Sequence, residues 1–358
     1  MKISIACGGT GGHMFPGLAM AGVLEERGHR VCIWAAGKGI ERTVLDSQSR
    51  EVVIVRAEGL PSGLSLRAGR AAVGLIRAVA QCRRRMKSAR PDVLLAMGSY
   101  ASVGPAAAAR LLGVPVVLHE SNVIPGRAIA LLSRFASAVA VGFPETREHL
   151  RHPRIVCTGF PLRKWAGQPF APGVLHAHGF KVLVFGGSQG AHALNEIVPE
   201  GLSMAHQKGV PLQVVHLSGP TDQASVKARY DRAGVPSVVL EFLREMDQAY
   251  AVADLAITRA GAATCAELAA FGVPAILVPL PSFARNRQVL NAQATASSGA
   301  AILIEERDLT PAGLASRVES LHRNPEALRA MRTACATRSV PDAAQKLADL
   351  VEAVGQGK

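Results

Sequence analysis

Residues 1–13 read MKISIACGGTGGH, a short apolar run that leads into a glycine-rich turn and a histidine. Residues 181–192 read KVLVFGGSQGAH and repeat that order in the second half of the chain. A strand followed by a glycine turn and the start of a helix is typical of the first unit of a parallel α/β sheet. The two stretches therefore predict an α/β protein of two doubly wound, Rossmann-like domains.

Short apolar runs alternate with longer helical segments around both stretches, as in βαβ units. The predicted strands are residues 3–6, 31–34, 52–55, 93–96, 114–118 and 138–141 in the first half, and 181–185, 212–216, 237–240, 254–257, 275–278 and 301–304 in the second. The segment 161–169 has no apolar period and is the predicted linker. We expect an N-terminal domain over 1–160, a C-terminal domain over 170–340, and a helix over 341–358 that could pack back on the N-terminal domain.

The composition of the 358 residues restricts the class of protein. Hydrophobic residues make up 49% and charged residues 19%, which excludes a disordered chain. Six cysteines without a Cys-x-x-Cys pair indicate neither a disulfide framework nor a structural metal, so we expect a reducing compartment. The apolar start is too short for a signal peptide, and no stretch approaches the ~18 uncharged apolar residues that span a bilayer. Any membrane contact is therefore expected to be peripheral.

The net charge of +13 is confined to the first half of the chain. Residues 1–164 carry 23 Lys and Arg against 10 Asp and Glu, whereas the remaining residues carry 17 of each kind. No acidic residue lies between Glu58 and Asp92, and the basic residues of that window are Arg67, Arg70, Arg77, Arg83, Arg84, Arg85, Lys87 and Arg90. Such a field attracts nucleic acid, anionic lipid or a pyrophosphate substrate.

The two glycine turns are candidate phosphate or sugar sites. Backbone N–H groups in such a turn can approach a ligand without obstruction from a Cβ atom, and the helix dipole favours negative charge there. The alternative is a tight turn that only packs a strand against a helix, but two turns in matching positions favour a ligand site. Met14 stands where a dinucleotide motif needs its third glycine, and neither turn carries Gly-Lys-Ser/Thr, so oxidoreductase and NTPase functions are disfavoured.

Two further residues are candidates for chemistry. His13 stands at a helix start, where the dipole favours the neutral imidazole that a general base requires; a capping or packing histidine is an equal alternative. In TRAGAATCAELAAFGVP, residues 258–274, a small-residue turn precedes a predicted helix that starts near Ala262. Glu267 on that helix could accept two hydrogen bonds from a ribose cis-diol while the helix N-terminus faces a diphosphate. A solvated helical glutamate is the alternative.

A series of short motifs in a fixed order resembles the MurG family. The motifs are GGTGGH (8–13), MGSY (97–100), HESN (119–122), GFPLR (159–163), GGSQGA (186–191), EF (241–242), the segment 259–267, RQ with NA (287–292) and SVPDAA (339–344). The members are UDP-N-acetylglucosamine:undecaprenyl-pyrophosphoryl-MurNAc-pentapeptide N-acetylglucosaminyltransferases. The resemblance implies a glycosyltransferase-B fold of two domains facing a cleft, with the acceptor on the N-terminal half and the UDP-sugar mainly on the C-terminal half.

The resemblance also implies roles for individual residues. Thr10, Gly11, Gly12 and Asn122 are implied to contact the sugar side of the cleft, and Arg163 and Ser188 the nucleotide or its phosphates. The backbone of Leu243 is implied to contact uracil, Glu267 the ribose and Gln288 the sugar hydroxyls. The implied phosphate contacts are Ala262, Ala263, Thr264, Cys265 and Ala266. The chain departs from the usual family residue at Ser99, Ser121, Ala260, Arg285 and Arg287. Of these, Arg285 and Arg287 replace an acid and a histidine beside the expected sugar site.

The implied reaction is an inverting displacement in peptidoglycan synthesis. The C4 hydroxyl of the lipid-linked MurNAc-pentapeptide attacks C1 of UDP-GlcNAc, with His13 as the first candidate base and Glu120 as the reserve. No cofactor is expected. Because the chain has no Asp-x-Asp pair, with which transferases commonly hold a divalent ion, we also expect turnover without a metal.

Two other functions stay open at this point. A UDP-N-acetylglucosamine 2-epimerase resembles the same fold and binds the same donor, but it needs no lipid. A non-catalytic binder of anionic lipid or nucleic acid would use the arginine-rich window and would not need three glycine-type helix starts.

The final expectation places the protein at the cytoplasmic face of the bacterial inner membrane. A predicted helix over residues 66–86 carries apolar Leu66, Val73, Leu75, Ile76, Val79 and Met86 together with six of the arginines. Packing of the apolar side on the sheet is the usual outcome for such a helix. The acid-free window and the lipid-linked acceptor favour docking on an anionic membrane surface instead, with no nucleic acid as partner.

Overall fold

The computed structural model describes residues 1–9, 11–37, 50–55, 66–164, 178–187, 190–281 and 286–357, and only the backbone of 66–72. The chain divides into two compact units, Met1–Lys164 with Val340–Lys358, and Trp165–Ser339. Residues 161–164 of the predicted linker thus belong to the first unit, and residues 165–169 lie outside the described part of the chain.

The first unit is built on a seven-stranded sheet whose neighbouring strands are all parallel. Its strands are β1 (Lys2–Ala6), β2 (Arg30–Ala35), β3 (Glu51–Ile54), β4 (Val93–Ala96), β5 (Val116–Glu120), β6 (Ala138–Val141) and β7 (Ile155–Cys157), and its first helices are α1 (Gly11–Glu26), α2 (Leu66–Ala89), α3 (Val103–Leu111) and α4 (Arg127–Leu132). The strand order is β3-β2-β1-β4-β5-β6-β7, so the sheet grows in both directions from β1 and β4.

Alternating side chains of the strands fill two cores on opposite faces of this sheet. Ile3 and Ile5 pack with α1, whereas Leu94 and Ala96 pack with α2, α3 and α4. Both faces of a parallel sheet are covered by helices, which is why these strands appear in the sequence as continuous apolar runs.

The second unit has a six-stranded parallel sheet of order β10-β9-β8-β11-β12-β13. Its elements are β8 (Phe180–Phe185), α5 (His192–Gln207), β9 (Leu212–Leu217), α6 (Gln223–Arg232), β10 (Ser237–Leu240), α7 (Met246–Val252), β11 (Leu255–Thr258), α8 (Ala262–Phe271), β12 (Ala275–Leu277), α9 (Arg287–Ser297), β13 (Ala301–Leu303), α10 (Pro311–Arg323) and α11 (Pro325–Arg338). Here the sheet grows in both directions from β8 and β11.

The helix α12 (Ala343–Gly355) returns to the first unit. Leu347 and Val351 are fully buried in the core that also contains Ile3 and Ile5. At the rim, Arg27, directly after α1, pairs with Asp349 at 2.6 Å and with Glu352 at 3.1 Å. The burial of its apolar face and these ion pairs hold α12 on the sheet of the first unit.

The structure confirms the predicted doubly wound α/β class and all twelve predicted strands to within two residues. It adds the short edge strand β7, which the sequence did not predict. The predicted helix over residues 66–86 is present as α2 and passes through Gly69 and Gly74 without interruption. The six cysteines all lie in the described part of the chain, and none of them forms a disulfide there.

Candidate functional site

Each sheet has a point where the strand order reverses, and the predicted turns lie there. In the first unit, β1 and β4 are neighbours, and their carboxyl ends lead into the glycine turn at Gly8 and the turn at Gly98. In the second unit, β8 and β11 are neighbours, and they lead into the segments that begin at Gly186 and Arg259. Open α/β sheets bind ligands at such switch points.

Close packing and backbone conformation require glycine at the first two positions of the first glycine turn. A Cβ atom on Gly8 would lie 2.6 Å from the backbone nitrogen of Ala36, and Gly9 has a φ of +108°, which other residues rarely adopt. At the start of α1, a Cβ atom on Gly11 would lie 3.1 Å from the Phe15 ring, and Gly12 is exposed. Thr10 lies outside the described residues.

Ser99 ties the turn after β4 to the first glycine turn. Its hydroxyl donates to the carbonyl of Gly8 and accepts from the backbone N–H of Ala101 at 3.1 Å. Ser99 has a φ of 62° and a ψ of 170°, a conformation that costs a non-glycine residue about 1–3 kcal/mol. The two hydrogen bonds offset that cost and hold a serine in a backbone conformation that favours glycine.

His13 is the third residue of α1 and lies against the turn after β4. Its Cδ2 and Nε2 atoms are 3.0 and 3.2 Å from the position that a Cβ atom would take on Gly98. The ring is half-buried. The absence of a side chain at residue 98 therefore leaves space for the imidazole at the switch point of the first sheet.

Glu120, at the end of β5, organises the loop that follows it. The residue is 4% exposed, and its carboxylate accepts hydrogen bonds from the backbone and side chain of Asn122 at 2.9 and 3.0 Å and from the backbone of Gly126 at 2.7 Å. The carbonyl of Asn122 accepts from Thr146 at 3.0 Å. The structure thus joins two predicted site residues, Glu120 and Asn122, in one hydrogen-bonded loop.

His119 lies beneath this loop, fully buried. Its Nε2 donates to the carbonyl of Gly159 at 3.1 Å, and Phe160 packs edge-on against the ring. Burial lowers the pKa of His119 to about 4, so the ring is neutral at pH 7. This residue fixes the end of β5 to the segment 159–160.

In the second glycine turn, Gly186 and Gly190 are required by close packing. A Cβ atom on Gly190 would lie 2.2 Å from the carbonyl oxygen of Ser218, and one on Gly186 would lie 2.2 Å from the Cβ of Ala191. At Gly187 nothing in the described structure lies within 4 Å of such an atom, but its φ of +107° favours glycine there. Ser188 lies outside the described residues.

The helices that follow the two turns of the second unit begin without a side-chain cap. The residues before α5 and α8 are Ala191 and Gly261, which have no polar side chain, and neither helix has an acidic residue in its first turn. By contrast, Thr310 and Asn324 cap α10 and α11 through their side-chain oxygens at 3.2 and 3.0 Å. The N–H groups at the starts of α5 and α8 therefore suit an anionic ligand.

The predicted phosphate-facing residues Ala262, Ala263, Thr264, Cys265 and Ala266 form the first turn and a half of α8, and Glu267 follows them as a half-buried side chain. The Tyr250 hydroxyl donates to Glu267 Oε2 at 2.8 Å. The sequence did not single out Tyr250, although it is one of only three tyrosines in the chain.

Gln288 lies in α9 and is bonded to the loop after β12. Its Oε1 accepts from the backbone N–H of Leu280 at 2.8 Å. In the same helix, the Asn291 side chain donates to the carbonyl of Ala260 at 3.2 Å, so α9 is joined to the turn before α8. Arg285, next to this region, lies outside the described residues.

Arg259 supports the same turn from beneath. The residue is 7% exposed. Its guanidinium donates to the carbonyls of Val278 and Pro279 at 3.2 and 3.4 Å and forms an ion pair with Glu306. In the sequence, Arg259 is recognisable only as a basic residue directly after a buried strand. That position does not predict which groups it binds.

Two predicted contacts lie at the surface of their own unit. Leu243 is half-buried in the loop between β10 and α7, next to Phe242, which is 53% exposed. Arg163 is exposed near the end of the first unit's continuous segment. Among the described residues, no group of three or more His, Cys, Asp or Glu side chains is placed to hold a metal ion.

Comparison with known proteins supports the family that the order of motifs predicts. Residues 3–141 match the glycosyltransferase family 28 N-terminal domain, and residues 181–347 match the glycosyltransferase family 28 C-terminal domain. The chain is 38% identical over 360 residues to the UDP-N-acetylglucosamine--N-acetylmuramyl-(pentapeptide) pyrophosphoryl-undecaprenol N-acetylglucosamine transferase of Anaeromyxobacter sp. (strain Fw109-5), covering 98% of this chain and 92% of that protein. It belongs to the MurG family of glycosyltransferases.

Solved structures lead to the same family. The crystal structure of Acinetobacter baumannii MurG superposes with a TM-score of 0.81 at 32% identity and covers 98% of this chain and 99% of that one. A putative UDP-N-acetylglucosamine 2-epimerase from Listeria monocytogenes superposes with a TM-score of 0.74 over 100% of this chain and 97% of its own, but at 15% identity. That second likeness shows a shared fold alone, whereas the MurG relationship extends to sequence along the whole chain.

Proposed function

We propose that this MurG-family chain transfers GlcNAc from UDP-GlcNAc to the C4 hydroxyl of a lipid-linked MurNAc-pentapeptide. The names of the relatives describe this transfer, with N-acetylglucosamine as the sugar that is moved and a pyrophosphoryl-undecaprenol as the acceptor. The observation that carries the proposal is the pair of uncapped helix starts at the switch point of the second sheet, with Glu267 on one of them. Such a site suits a nucleoside diphosphate.

The proposed reaction is a single inverting displacement. The acceptor oxygen forms a bond to C1 of the α-linked sugar as the bond from C1 to the UDP oxygen breaks, which gives a β-1,4 linkage and free UDP. The proton of the acceptor hydroxyl passes to a base. The helix starts at Ala191 and Gly261 stabilise the negative charge that develops on the departing diphosphate.

We assign most of the donor contacts to the second unit. Residues 262–266 of α8 face the phosphates, and Ser188 is assigned to the nucleotide or its phosphates. Glu267 accepts from the ribose hydroxyls, and the backbone at Leu243 contacts uracil. Gln288 is assigned to the sugar hydroxyls, with its Oε1 already fixed by Leu280. Arg163, in the first unit, is assigned to the nucleotide or its phosphates.

We assign His13 as the general base for the acceptor hydroxyl, and Thr10, Gly11, Gly12 and Asn122 as contacts on the sugar side of the cleft. The half-buried imidazole at the switch point supports this assignment, because a base must be accessible and fixed. Glu120 already accepts three hydrogen bonds, which suits it to hold the loop that carries Asn122. We therefore assign Glu120 a positioning role, and His13 alone the proton transfer.

We further propose that the first unit docks on the cytoplasmic leaflet through α2 and α3. A groove of about 630 Å³ between these helices is lined by apolar Leu75, Ile76, Val79 and Leu111 and by Arg83, Arg84 and Lys87. Ile76 and Leu111 are 68% and 64% exposed. Exposed apolar side chains beside basic ones suit an anionic bilayer surface.

The structure corrects one part of that surface. Met86 is 1% exposed and belongs to the core of the first unit with Ala78 and Cys82, so it cannot contact a membrane. The side chains of Leu66, Arg67 and Arg70 lie outside the described residues. No described helix is both long and apolar enough to cross a membrane.

One assay tests the proposed function against its enzymatic alternative. UDP-GlcNAc is supplied with and without a lipid-linked MurNAc-pentapeptide analogue, and both UDP release and UDP-ManNAc formation are measured. We expect UDP release only with the acceptor. Formation of UDP-ManNAc without the acceptor would show an epimerase instead.

A second measurement tests whether turnover needs a metal. We expect EDTA to leave the rate of UDP release unchanged. Activity that is lost in EDTA and restored by Mg²⁺ or Mn²⁺ would contradict metal-independent turnover.

A further inference from the structure

We infer that Tyr250 is a positioning residue that holds Glu267 in the orientation that recognises the ribose of the donor. This inference rests on the proposed function and extends it to a residue outside the glycine turns. Tyr250 lies in α7 and Glu267 in α8, and the phenol hydroxyl donates to Oε2 of the carboxylate at 2.8 Å.

The tyrosine ring is itself fixed on two sides. Tyr250 is 1% exposed, stacks on Phe271 with ring centroids 5.2 Å apart and an interplanar angle of 22°, and meets Phe185 edge-on at 5.9 Å. Both geometries are preferred by aromatic pairs. Rotation of the phenol is therefore restricted, and the direction of its O–H bond is restricted with it.

The position of Phe185 connects this support to the second glycine turn. Phe185 is the last residue of β8 and directly precedes Gly186, while Phe271 is the last residue of α8. The aromatic cluster of Phe185, Tyr250 and Phe271 thus joins the end of β8 to the helix that carries Glu267. A displacement of α8 relative to the turn would disturb the cluster.

Fixing Glu267 matters because a free glutamate side chain has several rotamers. A ribose cis-diol offers two hydroxyl donors, and a carboxylate meets both only in a narrow range of orientations. A bond to a buried phenol selects one orientation before the donor binds, so less side-chain entropy is lost on binding. Tyr250 is then a determinant of affinity for the ribose and has no contact with the reacting atoms.

The test compares UDP with 2′-deoxy-UDP by calorimetry on the full-length protein. In the parent we expect UDP to bind more tightly, because the deoxy compound leaves one carboxylate contact unmade. Tyr250→Phe keeps the ring and removes only the hydroxyl. We expect it to weaken UDP binding about tenfold, to affect 2′-deoxy-UDP less, and to raise KM for UDP-GlcNAc with kcat nearly unchanged.

Tyr230→Phe is the matched control. Tyr230 is also fully buried in the second unit, and its hydroxyl donates to Nδ1 of His216 at 3.0 Å, away from Glu267. We expect this variant to lose a comparable amount of stability and to keep the parent ratio of UDP to 2′-deoxy-UDP affinity. An equal fall of that ratio in both variants would show a merely structural role for Tyr250 and overturn the inference.

Glu267→Gln supplies the second variant. Glu267→Gln should reduce the ratio of UDP to 2′-deoxy-UDP affinity. The double variant with Tyr250→Phe should show no further reduction of that ratio. An unchanged ratio in Tyr250→Phe, with Glu267→Gln impaired, would overturn the inference and leave the proposed function standing. A parent protein that binds neither nucleotide would overturn both.

Discussion

The imidazole of His13 occupies space that a side chain on Gly98 would take, since its Nε2 atom lies 3.2 Å from the Cβ position of that residue. Gly98 also has a φ of +95°. Both features suit glycine, and together they keep the ring at the switch point between β1 and β4. The function that we propose for His13 depends on this arrangement.

Replacing His13 by alanine should lower kcat by about 10²–10⁴-fold, the usual contribution of a general base. Binding of UDP, which we assign to the second unit, should stay unchanged in calorimetry. Steady-state UDP release with saturating donor and acceptor measures the effect. A His13→Ala enzyme with a near-normal kcat would show that another group takes the proton.

Glu120→Ala should destabilise the first unit because it leaves the N–H groups of Asn122 and Gly126 without their acceptor. We expect the free energy of unfolding to fall by about 3 kcal/mol in urea titrations. Glu148→Ala, which removes an exposed glutamate of the same unit, should change it by less than about 0.5 kcal/mol. If Glu120→Gln abolished kcat while stability stayed at the parent value, Glu120 would be a base and not a positioning residue.

Charge reversal at Arg83, Arg84 and Arg85 tests the docking surface. All three are exposed, and each basic residue near an anionic leaflet contributes about 1 kcal/mol, so the triple change to glutamate should weaken binding to anionic vesicles at least about 100-fold. Affinity for UDP-GlcNAc should not change.

The control for this variant makes the same change of net charge elsewhere in the first unit. Arg134, Arg147 and Arg151 are also exposed, and their reversal should leave co-sedimentation with vesicles largely intact. Equal losses in both triple variants would mean that net charge, and not the α2 surface, drives the attachment.

The buried His216 should make the second unit sensitive to acid. Burial lowers its pKa to about 3, below the value of about 6.5 in an unfolded chain. Between these values only the unfolded chain binds the proton, so the stability that this group contributes is complete above pH 6.5 and is lost as the pH falls. From pH 7 to pH 5 the loss should be about 2 kcal/mol.

Chemical denaturation at the two pH values measures that loss. His216→Gln should reduce the pH dependence by this amount, whereas His149→Gln, at an exposed position of the first unit, should not alter it. An unchanged pH dependence in His216→Gln would show that this histidine does not carry the linkage.

The strands and the starts of α1, α5 and α8 were predictable because each depends on a local pattern. A strand buried on both faces requires a continuous apolar run, and a close approach such as that of Gly190 to Ser218 requires glycine. The edge strand β7 was missed because its three residues are only half-buried and carry little of that pattern.

The support of the site could not be predicted, because it depends on contacts between distant parts of the chain. Tyr250 is 17 residues from Glu267, and Arg259 is 47 residues from Glu306. Met86 illustrates the same limit within one helix, since the spacing of apolar residues did not show which side of α2 faces the sheet. Such partners follow from how the helices pack on the sheets.

The return of α12 to the first unit has a consequence for synthesis on the ribosome. The core around Ile3 and Ile5 lacks Leu347 and Val351 until residues 343–355 have been translated, whereas the second unit, Trp165–Ser339, is complete before then. The first unit is thus translated first, but its core is completed last. Until α12 is made, the apolar side chains that it covers on the first sheet stay exposed. We therefore expect premature termination within α12 to leave this apolar surface of the first unit exposed.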